Sequence, residues 1–187
     1  MGMSLAAPRY TVHDLEQFPN DGNRYELLGG VLLVTPGPRP AHQEVAFRLA
    51  LQIGQALQLP GYAHVVTPGA VVSGPLTQLE PDILVYPARI QRTGTWADVS
   101  EHWLAVEVLS RGSRVYDREF KRDAYLALGV GEVWLVDVER QHIEVSRERG
   151  DGRIERDHFV WQSPAGVSVS INVKDVFKGT LPMDALD

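Results

Sequence analysis

Trp103-Leu104-Ala105-Val106-Glu107-Val108-Leu109 is the most apolar strand-like run of this 187-residue chain, and Glu107 is its only charge. A strand with one face in water would alternate apolar and polar residues, so a run of this kind reads as a strand covered on both faces. An ionised carboxylate there costs on the order of several kcal/mol unless a cation, a hydrogen-bond network or a metal compensates it. Upstream, Pro81-Asp82 opens a second short apolar run, Ile83-Leu84-Val85-Tyr86; downstream, Lys121 falls on a helix-like segment. Asp82 stands 25 positions before Glu107 and Lys121 stands 14 positions after it, which puts two acids and an amine on three consecutive elements of one sheet layer. Hard oxygen ligands beside an ammonium are the equipment of metal-dependent phosphodiester hydrolysis.

The neighbouring elements follow from periodicity and turn chemistry. Thr11 to Phe18 reads as a short helix capped by Thr11, ending at Pro19. Tyr25-Glu26-Leu27-Leu28 and Val31-Leu32-Leu33-Val34 flank Gly29-Gly30, a two-residue connection that closes hairpins. After the rigid Thr35 to Pro40 loop, the spacing predicts a helix from about Ala41 to Leu57 that buries Val45, Leu49, Ala50, Ile53 and Leu57. Strand signals recur at Tyr62 to Val72, Asp82 to Tyr86, Trp103 to Leu109 and Val133 to Asp137. Between the last two, a helix capped by Ser113 runs through Leu128, with Tyr116, Phe120, Ala124 and Ala127 as its expected core stripe and Gly129 as its stop. That crossover implies a parallel strand pair. The fold class is α/β: a helix-strand-strand-strand-helix-strand core in a mixed sheet flanked by helices, with an N-terminal hairpin and a C-terminal antiparallel extension. A chain of 187 residues reads as one domain, with the core at about 10–138 and the extension at about 139–187.

Composition narrows the chemistry. Zero cysteines exclude disulfides and thiolate metal sites, and suit a reducing, cytoplasmic setting. No apolar run is long enough to span a membrane, so no membrane partner is expected. The formal net charge of −6 argues against a general nucleic-acid coat, because phosphate affinity comes mainly from Lys and Arg. Between Arg111 and Asp123, however, five basic residues (Arg111, Arg114, Arg118, Lys121, Arg122) face three acidic ones (Asp117, Glu119, Asp123), a mild basic island. The histidines show no i,i+3 or i,i+4 pairing, which speaks against zinc.

Taken in order, Tyr25-Glu26-Leu27-Leu28-Gly29-Gly30, Pro40-Ala41-His42-Gln43, Pro81-Asp82, Glu107-Val108-Leu109-Ser110, Asp117-Arg118 with Lys121 and Tyr125, and Trp134-Leu135-Val136-Asp137 resemble the restriction-endonuclease-like family, a domain of unknown function within the PD-(D/E)XK nuclease superfamily. The resemblance runs from roughly Tyr10 to Val138, and it lies in the order of the motifs more than in any single one. It implies a four-stranded core flanked by helices and a catalytic set of Asp82, Glu107 and Lys121. The superfamily signature asks for a lysine two places after the second acid, where this chain has Leu109; the resemblance points to Lys121 on the following helix as its replacement.

On this reading Asp82, Glu107 and the main-chain carbonyl of Val108 hold Mg²⁺ or Mn²⁺, and Lys121 orients the attacking water. Glu26 either supports the metal site or is an exposed hairpin acid paired with Arg24 or Arg48. His42, at a helix start, is a candidate for substrate contact, Asp117 and Arg118 for support of Lys121, and Arg114 for phosphate. Two functions stand. One is a divalent-metal-dependent nuclease acting on DNA, expected to work as a homodimer paired through the apolar strands after Trp134. The other is a nucleic-acid or protein interaction module on the same fold with little or no catalysis.

Overall fold

The computed structural model describes residues 9–92, 94–109, 120–148 and 152–180. Helix α1 (Val12–Leu15) is closed by Thr11, whose backbone N–H and hydroxyl both donate to Asp14 Oδ2 at 2.7 and 2.8 Å. Strands β1 (Asn23–Leu28) and β2 (Val31–Pro36) form the expected hairpin, and Gly29 and Gly30 take φ of 60° and 82°, the doubly left-handed turn that favours glycine. Helix α2 (Pro40–Leu57) starts on a proline, whose missing N–H costs nothing at a helix start. It buries Val45, Ala46, Leu49, Ile53 and Leu57. Each of the larger of these side chains contributes about 1.5–3 kcal/mol by leaving water.

The stretch Tyr62 to Val72, expected as strand, divides into β3 (Ala63–Val66) and β4 (Val71–Ser73), which belong to different sheets. A further strand, β5 (Thr77–Leu79), precedes β6 (Ile83–Pro87) and β7 (Leu104–Leu109). Helix α3 (Arg122–Ala127) leads to β8 (Val133–Asp137), and β7 and β8 pair in parallel as the crossover requires. The C-terminal part is antiparallel: β9 (His142–Ser146), β10 (Arg153–Glu155), β11 (His158–Gln162), β12 (Ser168–Asn172) and helix α4 (Val173–Val176). The sheets run β10-β9-β8-β7-β6-β3, β2-β1-β5-β4 and β11-β12.

Strand β8, which begins with Val133-Trp134, lies between β7 and β9, and β9 lies between β8 and β10, so both are paired on two sides. The strands after Trp134 that lie at a sheet margin are β10, a three-residue strand in which Arg153 pairs with Glu155, and β11 and β12, which form a sheet of two. A short charged edge such as that of β10 discourages strand pairing. Among the described residues, no helix is long and apolar enough to cross a membrane.

Strand parity positions the site. On β6 and β7, Ile83, Val85, Leu104, Val106 and Val108 face one core, shared with α2 and with the β11-β12 hairpin through Phe159, Trp161, Val169 and Ile171. There Trp134 meets Phe159 and Trp161 edge-to-face, at 5.1 and 5.6 Å between ring centres. Leu84, Tyr86, Ala105 and Leu109 face the second core, with Leu79, Tyr125, Val133 and Leu135. Because side chains alternate along a strand, Asp82 and Glu107 both fall on this second side. The antiparallel register pairs Ile83 with Val106, and one further step sets Asp82 across from Glu107.

Candidate active site

Glu107 is 3% exposed, and its Oε1 accepts hydrogen bonds from Lys121 Nζ at 3.1 Å and from the Tyr125 hydroxyl at 2.7 Å. Lys121 is equally enclosed, and its ammonium also stands 2.7 Å from Glu26 Oε2. The helix that carries it is rotated relative to the expected stripe. Phe120 is exposed and Ala127 lies outward, while Lys121 and Tyr125, four residues apart on one face, turn to the sheet. The carboxylate of Glu107 draws that face inward: an ammonium and a phenol hydroxyl satisfy the buried acid where a phenylalanine would leave it bare.

Glu26 comes from the other sheet. It is fully buried, and its Oε1 accepts from the backbone N–H of Glu80 at 2.7 Å. The exposed alternative is thereby excluded. Arg48 pairs with Glu44 on α2, and Arg24 pairs with Asp82.

Asp82 is engaged through both of its carboxylate oxygens. Its Oδ1 accepts from Arg24 Nη2 at 3.0 Å, and its Oδ2 accepts from the Val108 backbone N–H at 2.8 Å and lies 3.1 Å from His42 Nε2. Burial alone would raise its pKa. The hydrogen bond and charge of His42, the charge of Arg24 and the Val108 N–H outweigh that, and the carboxyl is held below its ordinary value. Arg24 loses solvent yet is held more firmly protonated by Asp82, Glu107 and Glu26, which places it electrostatically among all three acids. Burial, then the charges of Glu107 and Glu26, push the Tyr125 hydroxyl well above its ordinary 10, so it remains a donor. His42 Nδ1 has no hydrogen-bond partner among the described residues.

The structure thus brings together Asp82, Glu107, Lys121, Glu26, His42 and the Val108 backbone. Arg114, Asp117 and Arg118, with the expected cap Ser113, lie outside the described residues. Two members were not assigned to the site from the sequence. Arg24 stands two residues before Glu26, the strand spacing that places both on one side of β1; Tyr125 stands four after Lys121, the helical spacing.

The donor set suits a hard divalent cation. Asp82, Glu107 and the Val108 carbonyl offer only oxygen, and three carboxylates face two obligate cations, Arg24 and Lys121. Among the described residues, no three His, Cys, Asp or Glu side chains are grouped to hold a metal. Mg²⁺ does not need three, because it keeps several waters and binds through one or two carboxylates.

A solved structure described as a "putative nuclease belonging to DUF820", from Anabaena variabilis, superposes with a TM-score of 0.74 at 18% identity, covering 91% of this chain and 99% of that one. At that identity the likeness shows the fold, and it agrees with the mixed sheet and flanking helices described above. No curated protein matches the chain. Residues 12–174 match the sequence profile of one family, Uma2, described as "Putative restriction endonuclease", and the chain belongs to that family.

Proposed function

We propose that the chain is a divalent-metal-dependent nuclease that hydrolyses phosphodiester bonds in DNA. The observation that carries this reading is the convergence of Asp82 and Glu107 on one side of adjacent strands, with the Lys121 ammonium bonded to Glu107. Asp82, Glu107 and the carbonyl of Val108 would hold Mg²⁺ or Mn²⁺. The ion, when bound, would supply Lewis-acid activation of water and neutralise charge on the phosphoryl oxygens.

The protein's own groups do the rest. Lys121 stands where an ammonium can orient the attacking water and stabilise developing negative charge. Glu26 and Tyr125 fix the ammonium and the Glu107 carboxylate in one geometry, so little reorganisation is needed during reaction. Arg24 pairs with Asp82 and His42 Nε2 lies 3.1 Å from its Oδ2, so both hold that carboxylate in place. Cleavage of both strands of a duplex by one such site per chain requires two copies, so a homodimer fits the reading. The absence of cysteine fits a reducing compartment such as the cytoplasm.

The net charge of −6 favours a second reading, an interaction module on this fold without catalysis. Calorimetric titration with Mn²⁺ and plasmid cleavage together decide between them. Wild-type protein should bind Mn²⁺ and nick DNA, Glu107→Gln should lose both, and Lys121→Ala should lose cleavage by about 10² while keeping most metal affinity. Wild-type protein that binds metal yet cuts neither DNA nor RNA would select the interaction module.

A further inference from the structure

We propose that the open cleft on the far side of Arg24 is a subsite for a single nucleotide of the strand being cut, which reads the base through Gln78 and Glu80. This deepens the nuclease reading and rests on it. The cleft has a volume of about 660 Å³ and is walled by Leu15 of α1, by Asn23, Arg24 and Tyr25 of β1, and by Gln78 and Glu80 at the end of β5. Its size falls in the roughly 300–1,000 Å³ range of small-molecule sites.

Arg24 is the shared wall. One guanidinium nitrogen donates to Asp82 Oδ1 and the other to the Glu80 carbonyl oxygen, both at 3.0 Å, so Arg24, itself a lining residue of the cleft, ties Glu80 to the carboxylate cluster. A nucleotide whose base lies in the cleft would present its phosphate to Arg24, the arrangement a hydrolytic centre needs.

The remaining walls suit a base. Tyr25 gives a rigid aromatic surface, since Phe18 stacks on its ring with centres 4.9 Å apart and Asp21 accepts its hydroxyl proton at 2.8 Å. Aromatic walls hold any base, and hydrogen bonds to its pairing edge make the selection. Glu80 supplies an acceptor: its Oε1 takes a hydrogen bond from Gln78 Nε2 at 3.1 Å. A carboxylate favours bases with amino groups on that edge, guanine above all, and is repelled by the two carbonyls of thymine. The side-chain amides of Asn23 and Gln78 offer both a donor and an acceptor.

Titrating ¹⁵N-labelled full-length protein with the four deoxynucleoside 5′-monophosphates tests this. The expected result is shifts of the Asn23 and Gln78 side-chain amides, with thymidine monophosphate bound about tenfold more weakly than deoxyguanosine monophosphate, the loss of one charge-assisted hydrogen bond. Glu80→Gln and Gln78→Ala should each flatten that preference, whereas Arg24→Met should weaken all four alike. Absence of shifts at Asn23 and Gln78, or an unchanged preference in both Glu80→Gln and Gln78→Ala, overturns the subsite. Monophosphates carry no scissile internucleotide bond, so this binding reads the cleft whether or not the chain cleaves. Failure of the nuclease reading would appear separately, as wild-type protein inert on DNA and RNA.

Discussion

Replacing Lys121 by methionine keeps the length of the stem and removes its charge. Glu26 at 0% and Glu107 at 3% exposure would then face each other's charge without the ammonium that stands 2.7 and 3.1 Å from them. Removing one partner of a buried ion pair costs about 3–5 kcal/mol, because the charge left behind stays desolvated. For a chain of this size, that corresponds to a fall in Tm of roughly 6–20 °C. Urea unfolding of wild type and Lys121→Met at pH 7 measures the difference. Glu26→Gln added to the variant should recover much of the stability but none of the cleavage. A gap under about 1 kcal/mol at pH 7 would refute the buried-cluster argument. Cleavage restored by Glu26→Gln would refute the assignment of Lys121 to the reaction.

Asp82→Asn should abolish Mn²⁺ binding and flatten acid unfolding: the folded pKa of Asp82 lies below its ordinary 3.8, so its contribution is complete above that value and is lost as pH falls through the folded pKa, which urea midpoints from pH 7 to pH 3 would show. Tyr125→Phe should lower kcat by about tenfold with KM for DNA unchanged, since it removes one hydrogen bond to the Glu107 carboxylate, as steady-state kinetics would reveal. Trp161→Ala should cost about 3–5 kcal/mol through the cavity left against Trp134, yet leave calorimetric Mn²⁺ affinity intact, because that side chain lies in the opposite core.

Much of this site was legible in the chain because it lies on local patterns. The apolar run around Glu107 announces a buried carboxylate, and two-residue alternation puts Asp82 and Glu107 on one side once their strands are neighbours. The Gly29-Gly30 turn and the crossover from β7 to β8 follow from short-range rules as well. Helix rotation does not. The stripe through Phe120 and Ala127 is the best apolar face by periodicity, and a buried acid on another strand overrides it by recruiting Lys121 and Tyr125.

The sequence by itself therefore determined the hairpin, the parallel crossover and the choice of two acids and a lysine that the fold brings together, since each rests on residues close in the chain; the division of Tyr62 to Val72 between two sheets did not follow from it. Only the tertiary structure decided what balances those charges. Arg24 and Glu26 arrive from a hairpin on a second sheet, 58 and 54 positions before Asp82 and Glu80, and no local spacing encodes that approach. The same approach removed the exposed alternative for Glu26, and pairing on two sides closed β8 and β9, which leaves β10, β11 and β12 as the strands after Trp134 at a sheet margin. Charges buried together select partners by energy across space, so their pairing is fixed only when distant elements pack.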